Sequence, residues 1–413
     1  MRKKIPARTK TRTTRNTSRN ESLANIKLPN INLVSVTKVV DRRNKLLGDA
    51  LDFPLLWMML TLMAFGILMV YSATVVGVSQ AAGNPYYFLK NYSLYAGLAL
   101  LVGSLAFRIP MELWERWTKY IFLISLILVA FLLVFGREIN GARRWLNLGF
   151  FNLQPAETLK FAVILYLSSY LMRHEDELTD WKKLWWIAIP IGGGMGLIML
   201  SQDLGSFVIL GVLTFFILFL AGIPKMLIAI IVLGGVAGIF AIIFFTPWRW
   251  DRLMAFMNPT QDMLGTNYQL GHALGSLFLG SWTGQGLGNG WERYYLSEIH
   301  TDYILSIIAE EWGALGVIAL ILAFAWLIWR IFSIAQQAYV NKAYYSSYCA
   351  KGIALWFAFQ SFIHIGVNIG QLPTKGLTLP FISYGGSSLM MSVIAIVMVL
   401  RIDYENRQHA RGY

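Results

Sequence analysis

Long apolar runs recur along the chain, each closed by a charge or a turn residue. They predict helices over Pro54–Tyr71, Tyr92–Phe107, Tyr120–Phe135, Glu157–Leu171, Leu184–Leu200, Leu204–Leu220, Met226–Phe245, Tyr303–Trp329, Ile353–Ile369 and Ser388–Leu400. A bilayer core of about 30 Å takes about 17–25 apolar residues per helix. The pattern therefore predicts an all-α integral membrane protein with about ten transmembrane helices. No small-residue cleavage site follows Tyr71, so the first run reads as a retained helix.

The polar positions between the runs carry a second pattern. A basic segment, residues 1–50, precedes the first run and should be a disordered cytoplasmic tail attracted to anionic headgroups rather than to nucleic acid. Placing it inside puts both termini in the cytoplasm and leaves Lys and Arg in excess on that side, as the positive-inside rule requires. The helical region then covers 51–402, with a short cytoplasmic tail at 403–413. Three outer connections remain: Gly136–Ala156, Thr246–Asp302 and Gln371–Ser387. The middle one, residues 246–302 between the seventh and eighth helices, is far longer than an ordinary connection. Its aromatic residues and glycines suit a packed re-entrant or surface-lying fold.

Composition sharpens this. The 413 residues are 56% hydrophobic and only 14% charged, a balance that a single soluble core could not hide from water. Cys349 is the only cysteine, which excludes an internal disulfide, and the five histidines show no zinc-binding spacing. A bound metal would need oxygen ligands.

Candidate chemistry clusters at the outer side. His300 and Asp302 stand where the long loop enters the eighth helix; a carboxylate there is either a helix cap or a general base at the lipid–water boundary. Glu310 and Glu311 lie deeper in the same helix, either paired with a cation such as Lys160 or facing a polar cavity. Glu157 and Lys160, three apart, share a helix face and read as a self-neutralised pair. Arg143-Arg144-Trp145 and the Arg249/Arg252 pair supply outer cations, suited to a pyrophosphate or to lipid headgroups. Lys375 sits in a loop ending in Gly-Gly-Ser-Ser, whose N–H groups resemble an anion cradle but lack the order of a nucleotide-binding loop. Gly284–Gly290 lacks the strand context of a dinucleotide site and reads as a turn.

Five stretches together resemble the SEDS family of peptidoglycan glycosyltransferases: Asn140-Gly-Ala-Arg-Arg-Trp-Leu146, Gln154-Pro-Ala-Glu-Thr-Leu-Lys160, Ser201-Gln-Asp-Leu-Gly-Ser206, His300-Thr-Asp302 and Leu372–Ser388. Two positions depart from the commoner pattern, Ala156 for serine and Ser297 for proline. The long basic N-terminus and the last stretch are more like division than elongation members.

The resemblance implies a SEDS fold that polymerises lipid II during septal wall synthesis, in the inner membrane at the division septum. Asp302 would be the catalytic carboxylate. Arg143, Arg249, Arg252, Lys375, His300, Gln269 and Ser387 would contact substrate, with Glu157, Lys160, Asp203, Glu310 and Glu311 as structural or cavity groups. It further implies polyprenyl pyrophosphate as leaving group, with a divalent cation such as Mg or Mn as the candidate cofactor. The implied partners are a class B penicillin-binding protein and other divisome membrane proteins. A rod-elongation polymerase, a lipid II flippase and a non-catalytic scaffold are the alternatives.

Overall fold

The structure, a computed structural model, describes residues 51–76, 84–139, 141–149, 151–174, 181–257, 267–296, 298–373 and 376–410, without the side chains at 139, 181–185, 248, 249, 252 and 255. The basic segment 1–50 and Lys375 lie outside the described residues, as do the side chains of Arg249 and Arg252.

In chain order the elements are α1 (Phe53–Thr74), α2 (Tyr87–Phe107), α3 (Met111–Phe135), β1 (Arg137–Ile139), β2 (Ala142–Asn147), β3 (Asn152–Leu153), α4 (Pro155–Arg173), α5 (Trp181–Leu200), α6 (Leu204–Leu220), α7 (Lys225–Phe244), α8 (Pro247–Met257), α9 (Tyr268–Gly280), a short 3-10 turn (Glu292–Tyr294), α10 (Ile304–Val340), α11 (Tyr344–Asn368) and α12 (Gly386–Ala410). Every predicted run is a helix. Among the described residues six helices, α1, α3, α7, α10, α11 and α12, are long and apolar enough to cross a membrane, and α5 and α6 carry shorter apolar stretches. The chain is a multi-pass membrane protein.

Helix ends differ from the apolar runs because polar residues find partners there. Asp52 caps α1 by accepting from Leu55 N–H at 3.1 Å, and its other oxygen pairs with Arg330 Nε at 2.6 Å. Arg401 and Glu405, and Asp403 and Arg407, pair one turn apart at 2.8 and 2.7 Å. They carry α12 on to Ala410, so residues 403–410, assigned to a tail from the sequence, are helical.

Burial is uneven. Helices α4, α11 and α12 form the centre, with Ile164, Trp356, Phe357 and Ile396 fully enclosed, whereas α7 buries no residue. Large exposed side chains on α3 and α7, among them Ile127, Phe131, Leu233 and Phe240, make sense only against lipid.

The connection after α3 is not purely helical. A three-stranded antiparallel sheet, ordered β1-β2-β3, forms there, with Ile139 opposite Ala142 across an Asn140-Gly141 connection. Gly141 takes φ +75°, the left-handed backbone that such two-residue hairpin turns require.

The long loop before α10 packs into a helix. At 37 residues α10 runs on past what a bilayer requires, and it is broken at Gly313 (φ 69°, ψ −170°). A break leaves backbone groups without helical partners, a cost tolerated in a membrane only where protein supplies them. Residues 281–286 do so. The N–H groups of Gln285 and Gly286 donate to Glu310 and Glu311 carbonyls at 2.9 and 3.0 Å, and those of Ala314 and Leu315 donate to Ser281 and Trp282 carbonyls at 2.9 and 3.2 Å. The predicted packed character of this loop has that physical origin.

Candidate active site

The segment His300-Thr301-Asp302 enters α10 with each of its three carbonyls held from outside. Tyr384 N–H donates to His300 O at 2.8 Å, Ser383 Oγ to Thr301 O at 2.7 Å, and Asn368 Nδ2 to Asp302 O at 3.0 Å. The first two donors come from the loop before α12 and the third from the end of α11. His300's ring packs edge-on against Phe88, centroids 4.7 Å apart, and against Tyr384. Among the described residues its Nδ1 is buried without a hydrogen bond. Burial lowers its pKa below the ordinary imidazole value, opposed by the Glu298 carboxylate.

Asp302 does not cap α10. The N-cap residue is Tyr303, without a side-chain cap bond, and among the described residues no hydrogen bond reaches the Asp302 carboxylate, which is partly exposed. Arg144 lies across from it. A side-chain carbon placed on Gly376 would stand 2.8 Å from Arg144 Nη1 and 3.4 Å from Asp302 Oδ2, so guanidinium and carboxylate face one small volume beside the bare Gly376 backbone. Arg144 Nε also lies 3.7 Å from Asp203 Oδ1. Asp203 in turn caps α6, accepting from Ser206 N–H at 3.3 Å and Ser206 Oγ at 2.7 Å. Burial pushes the Asp302 carboxyl up to about 7, with Glu298 and Asp203 adding to the rise and Arg144 opposing it. A carboxylate poised near neutrality and available to a substrate suits a general base.

The other predicted residues separate into groups. Arg143 is turned away from Asp302: its guanidinium donates to Leu133 O and pairs with Glu138 at 3.6 Å. Successive residues on β2 point to opposite faces, so of the two arginines it is Arg144 that meets Asp302. Ser387, expected at the substrate, is buried and engaged by backbone, donating to Asn152 O at 2.7 Å and accepting from Gln154 N–H at 3.0 Å. Gln269 sits half-buried on α9.

Glu310 and Glu311 do not meet Lys160. Glu310 accepts from Trp291 N–H at 2.6 Å and from Glu292 N–H, while Glu311 accepts from Ser72 Oγ at 2.6 Å. Glu310 thus pins the long loop to α10, and Glu311 ties α10 to α1. Arg293, not singled out from the sequence, donates to Ser72 O beside them at 3.4 Å.

Comparison with known proteins follows the same boundaries as the fold. Residues 53–408 match the FtsW/RodA/SpoVE family, described as cell cycle protein. The chain belongs to this family. Among FtsW/RodA/SpoVE relatives, a protein of Neisseria gonorrhoeae named "Probable peptidoglycan glycosyltransferase FtsW" is 41% identical, covering 91% of this chain and 90% of its own length. One of the same name from Allochromatium vinosum is 41% identical over 86% of this chain and 90% of its own. A solved chain described under "Structural coordination of polymerization and crosslinking by a peptidoglycan synthase complex" superposes with TM-score 0.72 at 27% identity, covering 87% of this chain and 99% of that one. The crystal structure of Thermus thermophilus rod shape determining protein RodA gives 0.64 at 25%, covering 86% and 97%. The fold is thus the SEDS fold, and in sequence the likeness runs to FtsW proteins.

Of the two departures from the commoner family pattern, Ala156 is buried at the start of α4 and Ser297 lies outside the described residues. One turn on from Ala156, Lys160 Nζ donates to Glu157 Oε1 at 2.8 Å and to Gln360 Oε1 at 2.9 Å, with no part of the lysine exposed. This is the structural pair expected from their spacing. Lys160→Met should destabilise the protein by about 3–5 kcal/mol, because Glu157 is left as an uncompensated buried charge. The double variant Lys160→Met/Glu157→Gln should recover much of the loss, as thermal unfolding in detergent would show.

Proposed function

We propose that the chain polymerises lipid II into glycan strands at the outer face of the cytoplasmic membrane, during septal wall synthesis, by inverting transfer with Asp302 as general base. The supporting observation is the Asp302 carboxylate itself: fixed by three backbone clamps, uncapped, partly exposed and facing Arg144. Asp302 removes the proton from the 4-hydroxyl of the acceptor GlcNAc as that oxygen bonds to the donor's anomeric carbon. The bond from that carbon to phosphate breaks, and polyprenyl pyrophosphate departs. Arg144 is placed to offset the charge developing on the pyrophosphate. Arg249, Arg252 and Lys375 are proposed to share that task. A pyrophosphate is already a good leaving group, so one carboxylate suffices.

The proposed topology has ten spans, with both termini cytoplasmic, residues 1–50 as a cytoplasmic tail and the long loop outside. The likeness to a peptidoglycan synthase complex supports a class B penicillin-binding protein as partner. A protein-held divalent ion does not fit the residues at Asp302. Among the described residues no three His, Cys, Asp or Glu converge, and the Arg144 guanidinium already faces both Asp203 and Asp302.

A flippase would need the deep charges to line a path. Instead Glu157 and Lys160 close on each other, Glu310 is spent on loop backbone, and Glu311 on the Ser72 hydroxyl of α1. Purified chain with its class B partner, crosslinking blocked, is expected to convert lipid II to long glycan. Lipid II that stays monomeric, yet changes leaflet in sealed vesicles, would overturn the reading in favour of transport.

A further inference from the structure

Helix α11 presents a buried polar stripe at four-residue spacing, Trp356, Gln360, His364 and Asn368, which share one helix face. Besides the bond that Gln360 accepts from Lys160, these side chains reach the loop before α12 and the entrance of α10. Trp356 Nε1 donates to Gln360 Oε1 at 2.7 Å, and Gln360 Nε2 donates to Thr378 O at 2.8 Å. His364 Nδ1 donates to Leu377 O at 2.7 Å, which fixes its tautomer. Asn368 Nδ2 donates to Asp302 O at 3.0 Å and to His364 O at 2.9 Å, while its Oδ1 accepts from Ser306 Oγ at 2.9 Å. The ladder thus sets the loop before α12 and, at its last rung, the Asp302 backbone.

The set loop then reaches back to the same segment. Ser383 Oγ accepts from Leu379 N–H at 2.8 Å and donates to Thr301 O at 2.7 Å. Buried polar groups on a membrane helix are costly unless satisfied. Here Gln360 and His364 reach carbonyls of the loop before α12 and Asn368 reaches that of Asp302, while Ser383 and Tyr384 of that loop hold the two carbonyls before it.

We infer that Asn368 and Ser383 are positioning residues for Asp302: they touch no substrate, and by holding the Thr301 and Asp302 carbonyls they fix the direction and depth of the catalytic carboxylate. The inference rests on the proposed role of Asp302. A displacement of about 1 Å in a reacting group costs about a hundredfold in rate, so a clamp on the peptide that carries the base is expected to act on turnover. It should leave substrate capture alone.

The test uses the full chain with its class B partner, crosslinking blocked, and follows lipid II polymerisation by wild type, Asn368→Leu, Ser383→Ala and Ser347→Ala. The last removes a comparable buried bond on α11, Ser347 Oγ to Ala335 O at 2.8 Å, away from Asp302. Asn368→Leu and Ser383→Ala are each expected to lower kcat about ten- to a hundredfold with KM within about twofold. The acidic limb of their pH profiles should move to lower pH, because a slackened segment lets water reach Asp302 while Arg144, Asp203 and Glu298 stay in place. Ser347→Ala should lose thermal stability alone.

Wild-type kcat and an unmoved acidic limb in folded Asn368→Leu and Ser383→Ala would overturn the inference. So would a rate loss in Ser347→Ala equal to theirs. Should Asn368→Leu fail to fold, Ser383→Ala, which deletes one oxygen, decides by the same two readouts. The two layers separate through Asp302→Asn. Normal polymerisation by that variant removes the general-base reading itself, whereas an inactive Asp302→Asn beside an unaffected Ser383→Ala removes only the positioning role.

Discussion

Asp302→Asn is expected to reduce lipid II polymerisation by at least about 10²–10⁴-fold, the range supplied by a positioned general base. Folding and partner binding should be unchanged. The amide is nearly isosteric, and the carboxylate it replaces makes no hydrogen bond among the described residues, so little structure depends on the charge. The wild-type rate should rise through pH about 7 rather than near the usual carboxylate value, since Asp302 must be ionised to act and burial raises its pKa. Arg144 opposes that rise, so Arg144→Gln should move the acidic limb to higher pH as well as lowering the plateau. Initial rates of glycan formation across pH, with pull-down of the penicillin-binding partner as a folding control, check all three. Polymer from Asp302→Asn at the wild-type rate would remove the general-base role.

The second large effect is expected from Gly313→Ala. At φ 69° and ψ −170° this residue occupies a backbone region that only glycine visits readily, costing any other residue about 1–3 kcal/mol. The added methyl would also overlap Gly284 N and Trp282 O. Loop 281–286 would have to withdraw, leaving the four backbone bonds at the α10 break unmade. Loss of activity should therefore accompany a lower melting temperature and new protease cleavage between 280 and 296, read by limited proteolysis. Leu315→Ala, a lipid-exposed change two residues on, should do neither.

How much of this the sequence discloses depends on the kind of signal. Apolar runs mark every predicted helix, because lipid imposes one simple length requirement. Their ends are hidden, since Asp52, Arg330 and Asp403 look like boundary charges until their partners are known. The sheet is in principle legible in Asn140-Gly141, a strong hairpin signal masked by the expectation of an ordinary loop. The choice between Arg143 and Arg144 is not legible, because adjacent strand residues exchange faces with a one-residue shift in register. The α11 ladder is the reverse case: Gln360, His364 and Asn368 at intervals of four on an apolar helix are a readable pattern. What they hold is tertiary and so beyond it. His300 and Asp302 stand out because rare polar residues at a helix entrance are conspicuous, yet the three carbonyl clamps belong to segments some sixty to eighty residues away.

The filling of the α10 break has a further consequence for how the gene can vary. Ser281, Trp282, Gln285 and Gly286 contribute only main-chain atoms to the four bonds across the break. The side chains of Trp282 and Thr283 are therefore free to drift, whereas Gly280 and Gly284 are crowded against α10 and Ser281 and Gly286 take positive φ. The number of residues is not. A single insertion or deletion between Gly280 and Gly286 would shift every donor and acceptor past its mate. This stretch of loop, ordinarily the part of a membrane protein most tolerant of indels, is length-locked, with freedom of composition confined to a few positions.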